Sequence, residues 1–126
     1  MLTTNGGFSG FSVDDQEKAV AFYRDTLGLE VTSDPMGIQL HVTGGAPVFV
    51  YAKPNHVPAT FTVLNFEVPD IDAAVDELAA SGVKVELYPG TNQDDTGIAR
   101  GRSANMGPDI AWFLDPAGNI LSVLQN

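Results

Sequence analysis

The chain contains one pattern twice, and this repeat constrains its fold more than any other feature. GFSVDDQEKAVAFYRDTLGLEV (10–31) and NFEVPDIDAAVDELAASGVKVE (65–86) align once a single residue is deleted from the first. Apolar, acidic and glycine positions then coincide: Phe11 with Phe66, Val13 with Val68, Asp15 with Asp70, and Gly28 with Gly82. Internal similarity on this scale indicates two copies of one supersecondary unit.

Each copy predicts a strand, a helix and a second strand. Asp15 and Asp70 are suited to cap the helix N-termini, and apolar residues recur behind them at helical spacing. Gly28 and Gly82 fit the left-handed position at which a helix ends. The strands that follow are predicted at 29–33 and 83–88.

Two more strands complete each copy. They are GIQLHV and PVFVYA in the first copy, and DIAWFL and NILSVLQ in the second. The turn DPAGN joins the last two. The expected fold is α+β, with two tandem β-α-β-β-β modules that form a cupped mixed sheet. Residues 1–126 are predicted to be one domain, with module one at 1–52, a Pro-rich connector at 53–59 and module two at 60–126.

The segment 89–109 has no periodicity. Loops of this length are often lids or binding loops, so a functional role is expected. The pair Asp94-Asp95 within it is interpreted as solvated.

Strand alternation divides each sheet into a helix-packed face and an open face. The open faces are predicted to combine aromatic, polar and ionisable side chains: Phe8, Gln39, His41, Phe49, Tyr51, Val63, Asn65, Glu67, Trp112 and Ser122. Concave, mainly apolar surfaces with a few polar groups are typical of small-molecule sites. The alternative is a second core or a dimer interface, but burying these polar groups without water is costly.

Few residues are candidates for chemistry. His41 and Glu67 are candidate catalytic residues, because both are expected on the aromatic-rich face. Glu67 could instead form a rim salt bridge with Arg100 or Arg102. His56, in the connector, is interpreted as solvated, although His41, His56 and Glu67 could hold a metal if they came together. Trp112 could stack on a planar ligand or only fill space.

The repeat, the helix sequence FYRDTLGL and the terminal WFLDPAGNILSVLQ resemble the vicinal oxygen chelate superfamily, which includes glyoxalase I, bleomycin resistance proteins and extradiol dioxygenases. The resemblance implies two modules that curl into a cup, usually in a homodimer. It also implies metal ligands at four positions, which correspond here to Phe8, Phe49, Val63 and Ser122. None of the four is an ordinary metal ligand. The usual metal site is therefore expected to be absent, with no cofactor, and Ser122 is expected to face the cup where catalytic relatives hold a Glu.

Composition limits the partners. The net charge of −10 disfavours nucleic acid and anionic membrane surfaces. The chain has no cysteine, no signal-like N-terminus and no long apolar run, which favours a cytoplasmic protein.

Three functions follow. The first is a metal-independent protein of the bleomycin-resistance type that binds or sequesters an apolar or aromatic small molecule. The second is an enzyme of lyase, isomerase or dioxygenase type that uses displaced ligands. The third is a structural or regulatory subunit whose cup serves as a dimer interface.

Overall fold

The computed structural model describes residues 1–126, which divide into two compact units, Met1–Pro58 and Ala59–Asn126. The division lies within the stretch predicted as the connector. Each unit has its own mixed sheet and one helical segment. The α+β class predicted from the repeat is confirmed.

Unit one follows the predicted order of strand, helix and three strands. Its elements are β1 Gly10–Val13, α1 Gln16–Val20 continued by a π-helix at Ala21–Thr26, β2 Glu30–Asp34, β3 Gly37–His41 and β4 Val48–Ala52. The strand order is β1-β4-β3-β2, with β1 parallel to β4 and the other pairs antiparallel. The edge strands of this sheet are therefore β1 and β2.

Unit two repeats this arrangement with one additional strand. Its elements are β5 Thr62–Glu67, α2 Ile71–Ala80, β6 Val85–Glu86, β7 Ala99–Arg100, β8 Asp109–Leu114 and β9 Ile120–Gln125. The strand order is β5-β9-β8-β6, and β7 also pairs with β8. Neither helix of the chain is long and apolar enough to cross a membrane.

The helix boundaries agree with the sequence signals. The side chains of Asp15 and Asp70 each accept a hydrogen bond from the backbone N–H three residues further on. Gly28 and Gly82 have φ angles of 78° and 80°, the left-handed conformation that ends a helix. Both N-caps and both terminal glycines are therefore confirmed.

The π-helix accounts for the residue that had to be deleted to align the two copies. The first helix has one residue more than the second between its N-cap and its terminal glycine. The wider turn at Ala21–Thr26 absorbs it, and the Leu27 N–H donates to the Phe22 carbonyl, five residues back. Tyr23, which lies within this turn, is fully buried.

The core of each unit lies between its helix and one face of its sheet. In unit one the buried strand residues alternate with partly exposed ones, and they include Val13, Ile38, Leu40, Val48 and Val50. In unit two, α2 packs on β8 and β9 and buries a second set: Ile71, Ala74, Leu78, Ala111, Phe113, Leu121 and Val123. Alternation predicts helix-facing side chains at Phe11, Val13, Val48, Val50, Leu121 and Val123, and all six are buried, whereas Phe66 and Val68, predicted in the same way, are only half-buried.

The segment 89–109 is an ordered part of unit two. It contains β7, and the Asp94 N–H bonds to the Ile98 carbonyl at 2.9 Å. The Asp94 carboxylate accepts hydrogen bonds from Thr96, from the Ile98 backbone and from Arg100. The interpretation of Asp94 as a solvated residue was wrong, because its carboxylate organises the loop.

Candidate functional site

The open face of unit one is centred on two stacked aromatic rings. Phe49 and Tyr51 lie on the same side of β4, with ring centroids 5.5 Å apart and planes inclined by 18°. Gly10 on β1 and Gly37 on β3 flank the Phe49 ring. A Cβ on Gly10 would lie 3.4 Å from the Phe49 Cβ, and one on Gly37 would lie 3.2 Å from a Phe49 ring carbon. Because Gly10 and Gly37 have no side chain, there is room between them for the Phe49 side chain.

Polar side chains on β3 are bonded to the edge strand β2. Gln39 donates from Nε2 to Asp34 at 3.2 Å, and His41 shares a hydrogen bond with Thr32 at 2.7 Å. Both Gln39 and His41 are half-buried. They lie on the same face as Phe49, which pairs directly with Gln39.

His56 is held against β1. Its Nδ1 lies 2.7 Å from the Ser12 hydroxyl, and the residue is half-buried, so the interpretation of His56 as a solvated residue was wrong. Ser12 lies on β1, whereas the partner of His41 lies on β2, at the other edge of the same sheet. The two histidines are therefore fixed at opposite edges and do not form a pair.

The open face of unit two contains a row of side chains that crosses the sheet. Asn65 on β5 pairs with Ser122 on β9, Ser122 pairs with Trp112 on β8, and Trp112 pairs with Glu86 on β6. Directly paired residues point to the same side of a sheet. The row therefore places Asn65 and Trp112 on either side of Ser122.

Ser122 has no exposed surface. Its hydroxyl donates to Asn65 Oδ1 at 2.5 Å. Ser122 was predicted to line a ligand site, but its fully buried hydroxyl cannot contact a ligand directly. The exposed group at this point of the sheet is Asn65.

Trp112 is fixed by two contacts. Its Nε1 donates to the Thr62 hydroxyl at 3.1 Å, and Tyr88 meets the indole edge-on, with centroids 5.8 Å apart. The β5–β9 register shifts between Thr62 and Leu64, so Val63 is an extra residue in the ladder. Strict alternation would place Val63 on the face of Trp112, but this shift gives that position to Thr62.

Phe8 and Glu67 are both exposed. Phe8 precedes β1 and is 73% exposed, and Glu67 is the last residue of β5. The rim salt bridge considered for Glu67 does not form. Arg100 pairs instead with Asp72, Asp94 and Asp109, and Arg102 pairs with Asp109.

The residues at the superfamily's four metal positions do not fit a metal. Phe8, Phe49 and Val63 have no donor atom, and the Ser122 hydroxyl is committed to Asn65. No group of three His, Asp or Glu side chains in the chain is placed to hold a metal ion. His41 and His56, two members of the candidate set, are held at opposite edges of the sheet of unit one and so do not come together.

An open groove of about 620 Å³ lies along the loop at residues 87–95, beside the predicted face and not on it. Leu87, Tyr88 and Pro89 provide its apolar part. Burial, and to a lesser extent the charge of Glu86, raises the pKa of Tyr88. Tyr88 contacts both the groove and Trp112, so it is the residue that links the loop to the open face of unit two.

Several residues that fix the side chains of the open faces are not among the predicted site residues. Thr32, Asp34, Thr62 and Tyr88 each bond or pack against a predicted face residue. Alternation on β1 places Ser12 on the open face, and alternation on β2 could have indicated Thr32, which shares the parity of that face. No local signal marks Thr62, because its position depends on the irregular register of β5.

Comparisons with known proteins agree with this architecture. The family model for the Glyoxalase/Bleomycin resistance protein/Dioxygenase superfamily matches residues 8–123. Comparison with curated proteins finds no significant match.

Three solved structures are similar over nearly the whole chain. TnmS3, an antibiotic binding protein from Streptomyces sp. CB03234, is 26% identical, with 99% of this chain and 98% of that chain covered and a TM-score of 0.69. A glyoxalase/bleomycin resistance protein from the same organism is 26% identical, with 94% and 97% covered and a TM-score of 0.64. A superfamily member from Sphaerobacter thermophilus DSM 20745 is 23% identical, with both chains fully covered (100% each) and a TM-score of 0.68. The resemblance drawn from the sequence is confirmed: the chain belongs to the Glyoxalase/Bleomycin resistance protein/Dioxygenase superfamily.

Proposed function

We propose that this protein binds a planar, largely apolar small molecule on the aromatic open faces of its sheets, and that binding requires no metal ion. The observation that carries the proposal is the stacked pair Phe49 and Tyr51, which remains half-exposed on the open face of unit one. The free energy falls when a second apolar surface covers rings that are partly exposed to water, so these rings favour the binding of an apolar ligand.

The polar groups around these rings support binding over catalysis. Gln39 is bonded to Asp34, and His41 to Thr32, so both side chains are held in place by neighbours on β2. Fixed polar groups beside an apolar surface orient a ligand and add specificity. A binding role also agrees with TnmS3, the antibiotic binding protein that is 26% identical to this chain.

Metal independence is supported by the donor set. Divalent metals are held by carboxylate, imidazole or thiolate ligands, and the chain has no cysteine. At the four positions that correspond to metal ligands in the superfamily, the side chains provide only one polar atom, the Ser122 hydroxyl oxygen. This hydroxyl is already hydrogen-bonded to Asn65.

The test is a titration with N-phenyl-1-naphthylamine, a neutral fluorophore that contains a planar naphthalene ring and whose emission rises in apolar surroundings. We expect saturable binding that EDTA does not change. Phe49→Ala and Tyr51→Ala should each weaken it about tenfold, the loss expected when one well-packed ring is removed. Phe61→Ala is the matched control, since Phe61 is exposed and lies outside the strands. Equal affinities for all variants, or loss of binding with EDTA, would contradict the proposal.

The homodimer and the cytoplasmic location expected from the sequence belong to the same proposal. The resemblance implies a dimer, and the exposed side chains of Phe8 and Met36 provide apolar surface for one. Sedimentation equilibrium would distinguish a dimer from a monomer, and a monomer at micromolar concentration would remove this part of the proposal.

A further inference from the structure

We propose that Ser122 is a positioning residue, whose buried hydroxyl holds the Asn65 side chain so that the Asn65 amide N–H groups face a hydrogen-bond acceptor on a ligand lying beside Trp112. This inference rests on the proposed function and specifies the ligand: a planar molecule with a carbonyl or similar acceptor at its edge.

The length of the Ser122–Asn65 bond determines which way the amide points. The two atoms are 2.5 Å apart. Hydrogen bonds of the O–H···O type range from about 2.5 to 3.0 Å, whereas N–H···O bonds begin at about 2.7 Å. The oxygen of Asn65 therefore faces the hydroxyl, and Nδ2 points away from it.

The burial of Ser122 makes this orientation stable. A buried hydroxyl needs a partner, and Asn65 Oδ1 is the acceptor for the Ser122 hydroxyl. If the amide turned over, the acceptor would be lost and the donors of Nδ2 would be directed at Ser122 instead. Asn65 itself is exposed, and Nδ2 makes no hydrogen bond within the chain. Two donors are therefore fixed in direction and free to bind.

Trp112 provides the apolar half of the site. Its only donor, Nε1, is bonded to Thr62, and the edge contact with Tyr88 fixes the tilt of the indole. The ring can therefore offer apolar surface but no hydrogen bond. Asn65 and Trp112 are two strands apart, roughly 10 Å at the usual strand spacing. A ligand with two or three fused rings is long enough to lie on the indole and reach the amide.

The first arm of the test needs no ligand. NMR relaxation would measure the order parameter of the Asn65 side-chain N–H groups in the wild type, in Ser122→Ala and in Ser122→Thr. We expect values above about 0.6 in the wild type and below it in Ser122→Ala, since 0.6 separates ordered from flexible groups. Ser122→Thr keeps the hydroxyl and should retain the order. An unchanged order parameter in Ser122→Ala would overturn the proposal.

The second arm compares coumarin with 1,2-dihydronaphthalene, bicyclic molecules of similar size of which only the first has a carbonyl. We expect the wild type to prefer coumarin at least fivefold, and Ser122→Ala and Asn65→Ala to lose that preference while still binding 1,2-dihydronaphthalene. The double variant should lose no more than either single one, because the two residues act as one unit. A retained preference in Ser122→Ala would overturn the proposal even if Ser122→Thr failed to fold. If the wild type bound neither molecule, the proposed function would fail for this ligand class, and the relaxation arm would still decide the role of Ser122.

Discussion

Arg100 donates from Nε to Asp94 at 2.9 Å and, with its two terminal nitrogens, to Asp72 on α2 at 3.0 and 2.7 Å. The same guanidinium lies 3.9 Å from the buried carboxylate of Asp109 on β8. One side chain thus joins the long loop, the helix and the sheet of unit two. The loop that borders Tyr88 is held in place by this connection.

Replacement of Arg100 should destabilise the protein more than a surface ion pair can explain. Arg100→Ala removes the hydrogen bonds that join Asp94 in the loop and Asp72 on α2, whereas the buried Asp109 keeps the Arg102 backbone N–H at 3.0 Å and the Arg102 guanidinium at 3.7 Å. We expect a loss of about 1–3 kcal/mol in the free energy of unfolding by urea, because a hydrogen bond to a charged group contributes about 1.5–3 kcal/mol and the bond to Asp94 is partly shielded from water. Arg24→Ala is the control, because its partner Asp25 is exposed and exposed pairs contribute at most about 1 kcal/mol. Equal losses in the two variants would show that Arg100 is only a surface residue.

Acid should weaken the protein through Asp94. Partial burial raises the pKa of this carboxyl, but hydrogen bonds from Thr96, Arg100 and the Ile98 backbone outweigh burial and hold the pKa far below its ordinary value. Because the folded state favours the ionised form, the stabilisation is complete above about pH 4, the unfolded value, and is lost progressively as the pH falls further.

Urea unfolding at pH 7, 4, 3 and 2 would measure this loss. We expect Asp94→Asn to be less stable at pH 7 and to lose less stability than the wild type between pH 4 and 2. Asp95→Asn is the matched control, because Asp95 makes no hydrogen bond in the loop, and its pH profile should follow the wild type. If the free energy of unfolding of Asp94→Asn fell as steeply between pH 4 and 2 as that of the wild type, other carboxylates would be responsible for the acid sensitivity.

The parts of the fold that depend on local patterns could be predicted from the sequence. Helix caps at Asp15 and Asp70, helix ends at Gly28 and Gly82, and the buried face of β4 are all specified by residues within a few positions of one another. The π-helix had an indirect signal, since the alignment of the copies required a deletion. The pattern of apolar and polar residues alone could not show that the extra residue widens one turn of the first helix.

The parts of the site that depend on distant partners could not be predicted. His56 and Ser12 are 44 positions apart, and Ser122 and Asn65 are 57 apart. The sequence identified Ser122 as unusual but not as fully buried, because burial depends on what covers the strand. The irregularity at Val63 likewise has no local marker, so alternation assigned the wrong residue to the face of Trp112.

Gln93 should be sensitive to a change of a single atom. Its Oε1 accepts from the Tyr88 N–H at 2.7 Å, and its Nε2 donates to the carbonyls of Glu86 and Gly97 at 2.8 and 2.7 Å. Gln93→Glu keeps the shape but places a second oxygen against both carbonyls. We expect a loss of about 2–4 kcal/mol, since two bonds are replaced by repulsion between acceptors.

The measurement is urea unfolding, with hydrogen exchange of the Tyr88 amide as a local readout. Exchange at Tyr88 should accelerate in Gln93→Glu. Gln16→Glu is the control, because Gln16 is exposed in the first turn of α1, where a negative charge is favourable. If Gln93→Glu left both stability and exchange unchanged, the hydrogen bonds of the Gln93 side chain would not hold the loop.

Gly37 should not tolerate any side chain. A Cβ at this position would overlap the Val50 carbonyl oxygen and press on the Phe49 ring. We expect Gly37→Ala to lose about 3 kcal/mol or more, because backbone atoms must move to make room. Gly45→Ala is the control, since its nearest neighbour would be 3.8 Å away. Thermal unfolding of the two variants would suffice, and similar melting temperatures would contradict the close packing of β3 on β4.

Restoring the carboxylate of the metal-dependent relatives at Ser122 should destabilise this protein without creating a metal site. The position is fully buried, and Asn65 is its one polar neighbour on the paired strand. A buried carboxylate without a cation has a raised pKa, so the folded state of Ser122→Glu should bind one more proton than the unfolded state near pH 6. The variant should therefore be destabilised by about 3 kcal/mol or more at pH 7, and should recover part of that loss by pH 5.

Ser122→Gln separates charge from size in the same experiment. Its loss in the free energy of unfolding, relative to the wild type, should be the same at pH 7 and pH 5, because the amide does not titrate. Zinc content after soaking should remain below one tenth of an equivalent in both variants, roughly the level of weak surface binding, because Phe8, Phe49 and Val63 cannot supply the missing ligands. Stoichiometric zinc in Ser122→Glu would show that other side chains complete a metal site, and the metal-independent function would then have to be abandoned.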